Sequence, residues 1–428
     1  MSLSDCLYKS VRVALTSVLL ICGSLLTAQA NTPPGVLIVG QIAEPKALDP
    51  AAVTAVNDFR ILMNVYDGLV QYKDGTLEVE PALATSWTIS DDGTVYTFSL
   101  REGVSFHDGS PLNAAAVKFN FDRMLDENHP YHNTGPFPLS FFFSAIASTE
   151  VVDDMTVQFT LNSPYAPFLS NLAYPTGLIV SPAAVEKHGA EFGRNPVGTG
   201  AFTFAEWRAN EAVVIEANSD YWGGAPALQA VVFRPITDAN TRTAEMLAGG
   251  IDLMVEVPPL ALDKFSADPY TIHEQAGPHV WFLILNAKEG PFADKRVRQA
   301  ANYAINKEAI VNDVLEGTAA VAAGPTPPAF AWAYNDSLTP YPYDPDKARS
   351  LLADAGVDGA ELTFYVTEGG SGMLDPVAMG TAIQADLNAV GFDVKIETYE
   401  WNTFLGEATS FRRSDSHTLP RSGPGSSR

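Results

Sequence analysis

Few residue groups in this chain have the types and spacing that chemistry needs, and each also has a plainer reading. His129-Pro130-Tyr131-His132 sets two imidazoles three positions apart, an interval that one helix face could present to a metal. Pro130 interrupts the pair and no cysteine or paired carboxylate follows at ligand spacing, so a surface loop is the expected reading. Gly369-Gly370-Ser371-Gly372-Met373 begins like a nucleophile elbow, in which a sharp strand-to-helix turn exposes a serine; Met373 stands where the last glycine should be. That leaves a flexible turn with exposed backbone N–H groups. Gly198-Thr199-Gly200 lacks the third glycine of a dinucleotide fingerprint and the lysine of a phosphate loop, and reads as a tight backbone crossing. The carboxylates between Ser148 and Met155 flank a strand without the basic or aromatic companions of a glycosidase site. Trp281, Trp332 and Trp401 suit a core or a ligand stack equally well. No catalytic set assembles from these residues, and no metal or cofactor is expected.

The elements that could position such residues belong to a long acidic chain. Its 428 residues, 46% apolar, can bury a large core and divide into two or three domains. Fifty acidic against 26 basic residues leave a net charge of −24, which repels phosphate backbones and anionic headgroups, so nucleic acid is not an expected partner. Lys9 and Arg12 precede an apolar run from Val13 to Leu26 and a small-residue ending at Ala28-Gln29-Ala30, so residues 1–30 read as a secretory signal peptide cut before Asn31. The apolar run is short for a membrane span, and Ile21 before Cys22 is bulky for a lipoprotein site. Both cysteines, Cys6 and Cys22, lie in that leader, so the mature chain has no disulfide or thiol chemistry.

Beyond the leader, Val36-Leu37-Ile38-Val39 and the alternating Tyr96–Leu100 read as strands, and Val151–Leu161 alternates again. A helix follows Asn113, an N-cap, with Val117, Phe121 and Leu125 on one face. Val297 to Glu316 reads as one long helix stopped by Gly317, and Asp344 to Ala355 as another stopped by Gly356. Leu362–Val366, the helix around Met379–Val390 and Asp393–Trp401 then predict a βαβ unit.

Three stretches together resemble the extracytoplasmic solute-binding proteins of family 5, the peptide-type receptors of ABC importers. They are Ala82 to Arg123 (ALATSWTISDDGTVYTFSLREGVSFHDGSPLNAAAVKFNFDR), Asn195 to Met254 (beginning NPVGTGAFTF), and the run from Asn286 (NAKEGPFADKRVRQAANYAINKEAIV) through YDPDKARSLLADAG to YEWNTFL. The resemblance spans Val36 to about Thr409 and is closest to the dipeptide-type branch; Ala115-Ala116 departs from it where an acidic residue usually precedes Val117.

That resemblance implies an α/β, two-lobed periplasmic-binding-protein fold of type II, cluster C, with an inserted subdomain in lobe one. Residues 31–77 and 192–277 would form the central part of lobe one, 78–191 the insert and 278–409 the second lobe. A peptide or peptide-like small ligand would be enclosed between the lobes of a monomer, without catalysis, and delivered in the periplasm to ABC permease subunits. It further implies that Glu44 and Lys46 line the cleft from lobe one, that His279 and Trp281 lie where the chain crosses to lobe two, and that Trp401 lines a pocket. The loop containing Ser371 and Gly372 carries no Arg or Lys where dipeptide receptors place an arginine for the ligand's carboxylate; its N–H groups could serve instead.

Residues 410–428 are basic and rich in Ser, Pro and Gly, a composition expected to be disordered, and they stand where the family carries further strands. The expectation is a truncated chain with an incomplete second lobe. A non-functional product that binds no peptide is therefore one competing reading, and a secreted hydrolase with a non-standard site is another.

Overall fold

Short alternating segments joined by turn residues become strands, and the longer amphipathic runs become helices. The computed structural model describes residues 32–404 except 276, 358, 370–372 and 402. The leader 1–30, Ser371, Gly372 and the segment 410–428 lie outside the described residues.

Strand β1 (Val36–Gln41) passes through the loop 42–55 into helix α1 (Val56–Val65), and β2 (Val70–Tyr72) pairs antiparallel with β3 (Val79–Pro81). Next come β4 (Ala84–Ile89), β5 (Val95–Leu100), helix α2 (Ala114–Leu125), β6 (Ile146–Asp153) and β7 (Thr156–Leu161). These strands form an antiparallel sheet of order β4-β5-β7-β6. After helices α3 (Phe168–Ala173) and α4 (Pro182–His188), the strands β8 (Phe202–Arg208), β9 (Ala212–Ala217) and β10 (Ala230–Pro235) return the chain to β1. Helix α5 (Ala239–Leu247) and the two-residue β11 (Leu253–Met254) complete a sheet of order β11-β1-β10-β9-β8, in which β1 runs parallel to both β10 and β11. Helices α6 (Lys295–Ala304) and α7 (Pro345–Ala355) precede β12 (Ala360–Thr367), α8 (Pro376–Ala389) and β13 (Phe392–Tyr399).

Separate apolar clusters hold these layers. Phe121 on α2 meets Phe143 and Phe159 edge-on at 5.2 and 4.9 Å, locking the helix to the antiparallel sheet. Fully burying each such ring stabilises by about 1.5–3 kcal/mol. Phe59, Ile61, Leu62 and Val65 of α1 pack with Val39 and Phe233 of the five-stranded sheet. Val297 and Ala300 of α6, Leu352 of α7 and Leu387 of α8 pack with Val394 of β13. The parallel pairing of β12 with β13 around α8 is the βαβ unit expected from the sequence.

Local signals are met where they are self-contained. Asn113 accepts from the Ala116 N–H and caps α2, and Gly356 ends α7 at φ +70°. Gly198 and Gly200 do cross a backbone closely: an added Cβ would lie 2.1 Å from the Val65 carbonyl oxygen and 2.5 Å from that of Asn64. Two expectations need correction. The single long helix breaks after Ala304, where Asn306 starts a new turn by accepting from the Ala309 N–H while its own N–H goes to Asp386. The alternation from Val151 to Leu161 is two strands, because Asp153 accepts from the Met155 N–H at 2.9 Å and turns the chain.

Candidate functional site

In open α/β sheets, ligands bind outside the carboxyl ends of the parallel strands. Here those ends belong to β1, β10 and β11, and they deliver Gln41, Ile236 and Glu256 to one edge. Ile236 donates its N–H to the Gln41 carbonyl at 2.8 Å, and the Val255 N–H reaches the Gly40 carbonyl at 3.2 Å.

The loop after β1 carries Glu44 and Lys46. Glu44 is half-buried, and one carboxylate oxygen accepts from the Trp207 indole N–H at 2.7 Å and from the Asn210 N–H at 3.0 Å. Asn210 sits in the β8–β9 turn at φ +59°. The Glu44 carbonyl accepts from the Asn57 side chain at 3.2 Å, and the Lys46 N–H donates to Asp58 Oδ1 at 2.9 Å, while the Lys46 side chain is exposed. The first turn of α1 thus holds the loop. Desolvation pushes the Asp58 carboxyl up to about 7, against the hydrogen bonds from the Lys46 and Ala55 backbone that favour its charged form.

One turn further along α1, Arg60 forms an ion pair with Glu256 at 2.5 Å. Glu256 holds φ +54°, a left-handed conformation unfavourable for a residue with a side chain. Arg242 of α5, itself buried, donates to the Ile236 and Thr237 carbonyls at 2.6 and 3.3 Å and lies within the field of Glu256. His279, from the segment that leads on to α6, lies near the same pair. Its basicity is lowered first by loss of solvent, with Glu256 raising it and Arg60 lowering it further. Trp281 follows, part-exposed, and the neighbouring Phe282 and Ile284 are strongly exposed.

The structure therefore gathers Glu44 and Lys46 on one loop, and His279 beside the Arg60–Glu256 pair. Trp401 lies elsewhere, stacked on Phe404 at 5.7 Å, with its indole N–H buried and unpartnered among the described residues. Arg60, Glu256, Arg242 and Gln41 were not singled out from the sequence. No short-range signal marks them, since Arg60 and Glu256 are 196 positions apart and meet only through the parallel register.

The two histidines of the 129–132 stretch make local contacts. His129 meets Phe119 edge-on at 5.0 Å, and His132 Nδ1 lies 3.0 Å from the Arg123 carbonyl. Among the described residues no three of His, Cys, Asp and Glu converge as a metal site, and no helix is long and apolar enough to cross a membrane.

The sequence matches the family described as bacterial extracellular solute-binding proteins, family 5 Middle, over residues 78–417. It is 38% identical to the heme-binding protein A of Haemophilus influenzae over 85% of this chain and 70% of that protein. It is 34% identical to the dipeptide-binding protein of Escherichia coli over 90% of this chain and 75% of that one. Among solved structures, the ABC transporter-associated periplasmic binding protein DppA from Helicobacter pylori, in complex with the peptide STSA, superposes with a TM-score of 0.80. That pair shares 37% identity over 86% of this chain and 75% of the other. The chain belongs to the bacterial extracellular solute-binding proteins of family 5, receptors that bind a solute and do not transform it.

Proposed function

We propose that this chain captures a peptide-like solute between two lobes in the periplasm and presents it to the permease of an ABC importer. The observation that carries the reading is the likeness, along most of the chain, to a receptor whose structure contains a bound peptide. In this reading residues 1–30 are a signal peptide and the receptor acts as a monomer. Lobe one comprises 31–77 and 192–277 with 78–191 as its insert, and residues 278–409 belong to lobe two. Support for that division comes from sheet membership. The antiparallel sheet draws its strands only from residues 84–161, the five-stranded sheet joins β1 to strands after residue 201, and the βαβ unit lies at 360–399.

Glu44, Lys46, His279 and Trp281 contribute to the cleft in this proposal. Trp401, Ser371 and Gly372 are the remaining proposed ligand contacts, of which Ser371 and Gly372 lie outside the described residues. Calorimetry of the purified chain against di-, tri- and tetrapeptides, with hemin as a further arm, tests the reading. The expected outcome is one-to-one peptide binding with a Kd of about 1 μM or below. Binding of hemin alone would replace the peptide by another solute. Peptide turnover would favour the hydrolase, and no affinity for any arm would favour the non-binding product.

A further inference from the structure

Several polar atoms at the carboxyl edge of β11, β1 and β10 are buried and have no hydrogen-bond partner among the described residues. They are both amide atoms of Gln41, Arg60 Nη1, Arg242 Nε and Glu256 Oε2. Buried polar atoms are nearly always satisfied, so a concentration of unsatisfied ones at a single edge calls for an occupant. Connectivity places them together. Gln41 lies one step beyond the Gly40–Met254 pairing and faces the α1 side of the sheet, as Val39 does. Arg60 projects from α1 to Glu256, and Glu256 in turn lies within the field of Arg242. The strained φ of Glu256 falls at this same place.

The unsatisfied atoms also specify chemistry. The guanidinium nitrogens and the Gln41 nitrogen donate, while Glu256 Oε2 and the Gln41 oxygen accept. An occupant must therefore offer acceptors and a donor side by side. A carboxylate alone would leave Glu256 unmatched, and an ammonium alone would face two guanidinium groups. A terminal carboxylate with its adjacent amide N–H satisfies both demands.

We propose that Arg60 and Glu256, supported by Gln41 and Arg242, form the subsite for the carboxyl end of a peptide ligand. Arg60 Nη1 donates to the carboxylate and Glu256 Oε2 accepts from the last peptide N–H. His279 lies beside the pair and is displaced as the ligand end enters. The inference rests on the peptide reading above and adds which end of the peptide lobe one holds.

The test compares trialanine with trialanine amide by calorimetry on the full chain and on Arg60→Met, Arg60→Lys and Glu256→Leu. A charge-assisted bond to the carboxylate predicts that the wild-type chain favours the free acid by about tenfold or more. In Arg60→Met that ratio falls to about one while affinity for the amide is retained, and Arg60→Lys restores part of it. Glu256→Leu weakens both peptides, since both carry the last N–H. An unchanged ratio in Arg60→Met, or no preference in the wild-type chain, overturns the subsite. If the wild-type chain binds neither peptide, the peptide reading fails by itself, and N-acetylglycine, which has the same carboxylate and N–H, becomes the probe. A saturable shift of the His279 imidazole resonance, assigned with His279→Gln and lost in Arg60→Met, upholds the subsite; no shift overturns it.

Discussion

Two Arg–carboxylate pairs in this protein have the same chemistry and opposite surroundings. Arg123 and Asp49 meet at 2.9 Å with 1% and 2% of their side chains exposed, and the guanidinium lies 5.2 and 5.7 Å from the rings of Phe137 and Phe192. Arg60 and Glu256 are 25% and 10% exposed and border the segment that crosses toward α6. Each pair has unpartnered atoms, Asp49 Oδ2 and Arg123 Nε in the first. Around Arg123, however, aromatic rings occupy the space a guest would need, and Asp49 Oδ1 is further engaged by the Ala51 N–H at 3.1 Å. An ion pair is a rivet when the core closes around it and a candidate binding element when one side stays open.

The largest effect that tests this contrast is the loss of one rivet partner. Arg123→Met strands the Asp49 carboxylate and should destabilise by about 3–5 kcal/mol. Arg60→Met, at a pair open on one side, should cost less, about 1–2 kcal/mol. Urea unfolding followed by far-UV dichroism measures both, and equal losses would erase the distinction. Replacing both rivet partners, as in Asp49→Leu with Arg123→Met, should recover much of the stability, because no buried charge is then left alone.

Asp58 gives the next largest effect, with the opposite sign. Its carboxyl, at about 7 in the fold against 3.8 ordinarily, favours the protonated form, so folding loses stability as pH rises from about 4 to 7. Each unit of such a shift is worth about 1.4 kcal/mol. Asp58→Asn keeps an oxygen for the Lys46 N–H and removes the ionisation. It should stabilise by about 2–4 kcal/mol at pH 8 and by little at pH 4. A gain independent of pH would show that burial does not control this carboxyl. At Asp58, unlike Arg60–Glu256, loss of solvent outweighs the backbone hydrogen bonds and the Lys46 charge that favour the ionised carboxylate.

What could be read in advance follows the range of the interaction. Asn113, Gly356 and the βαβ unit were legible because cap, stop and period act within a few residues. The break at Ile305 was not, since it depends on Asp386, 80 positions away, receiving the Asn306 N–H. Glu44 lies on the loop after β1, and its carboxylate is engaged by Trp207 and Asn210, more than 160 positions away, which no local pattern announces. Arg60 and Glu256 carried no local signal at all. The resemblance to a family pointed to a two-lobed receptor, and only the folded register brings Arg60 and Glu256 together.

Glu44 and His279 provide the smaller tests. Glu44→Ala removes the acceptor for the Trp207 indole N–H and the Asn210 N–H, and should cost about 1–3 kcal/mol while changing indole emission. A silent spectrum would mean that the carboxylate does not hold the β8–β9 turn.

The smallest effect concerns His279, the titrating group beside the open pair. Because loss of solvent lowers its basicity in the fold below the ordinary 6.5, the neutral ring is the favoured folded form. Its contribution is therefore complete above pH 6.5 and declines as pH falls below that value, since the unfolded chain then binds the proton more readily. Glu256 works against this shift and Arg60 with it, so Glu256→Gln should steepen the loss and Arg60→Met should soften it. The urea midpoint measured at closely spaced pH values from 5 to 7.5 reads the slope in each variant, with His279→Gln as the flat reference. Slopes that ignore both substitutions would separate His279 from the pair, and the open pair would then lose the neighbour that distinguishes it from the rivet.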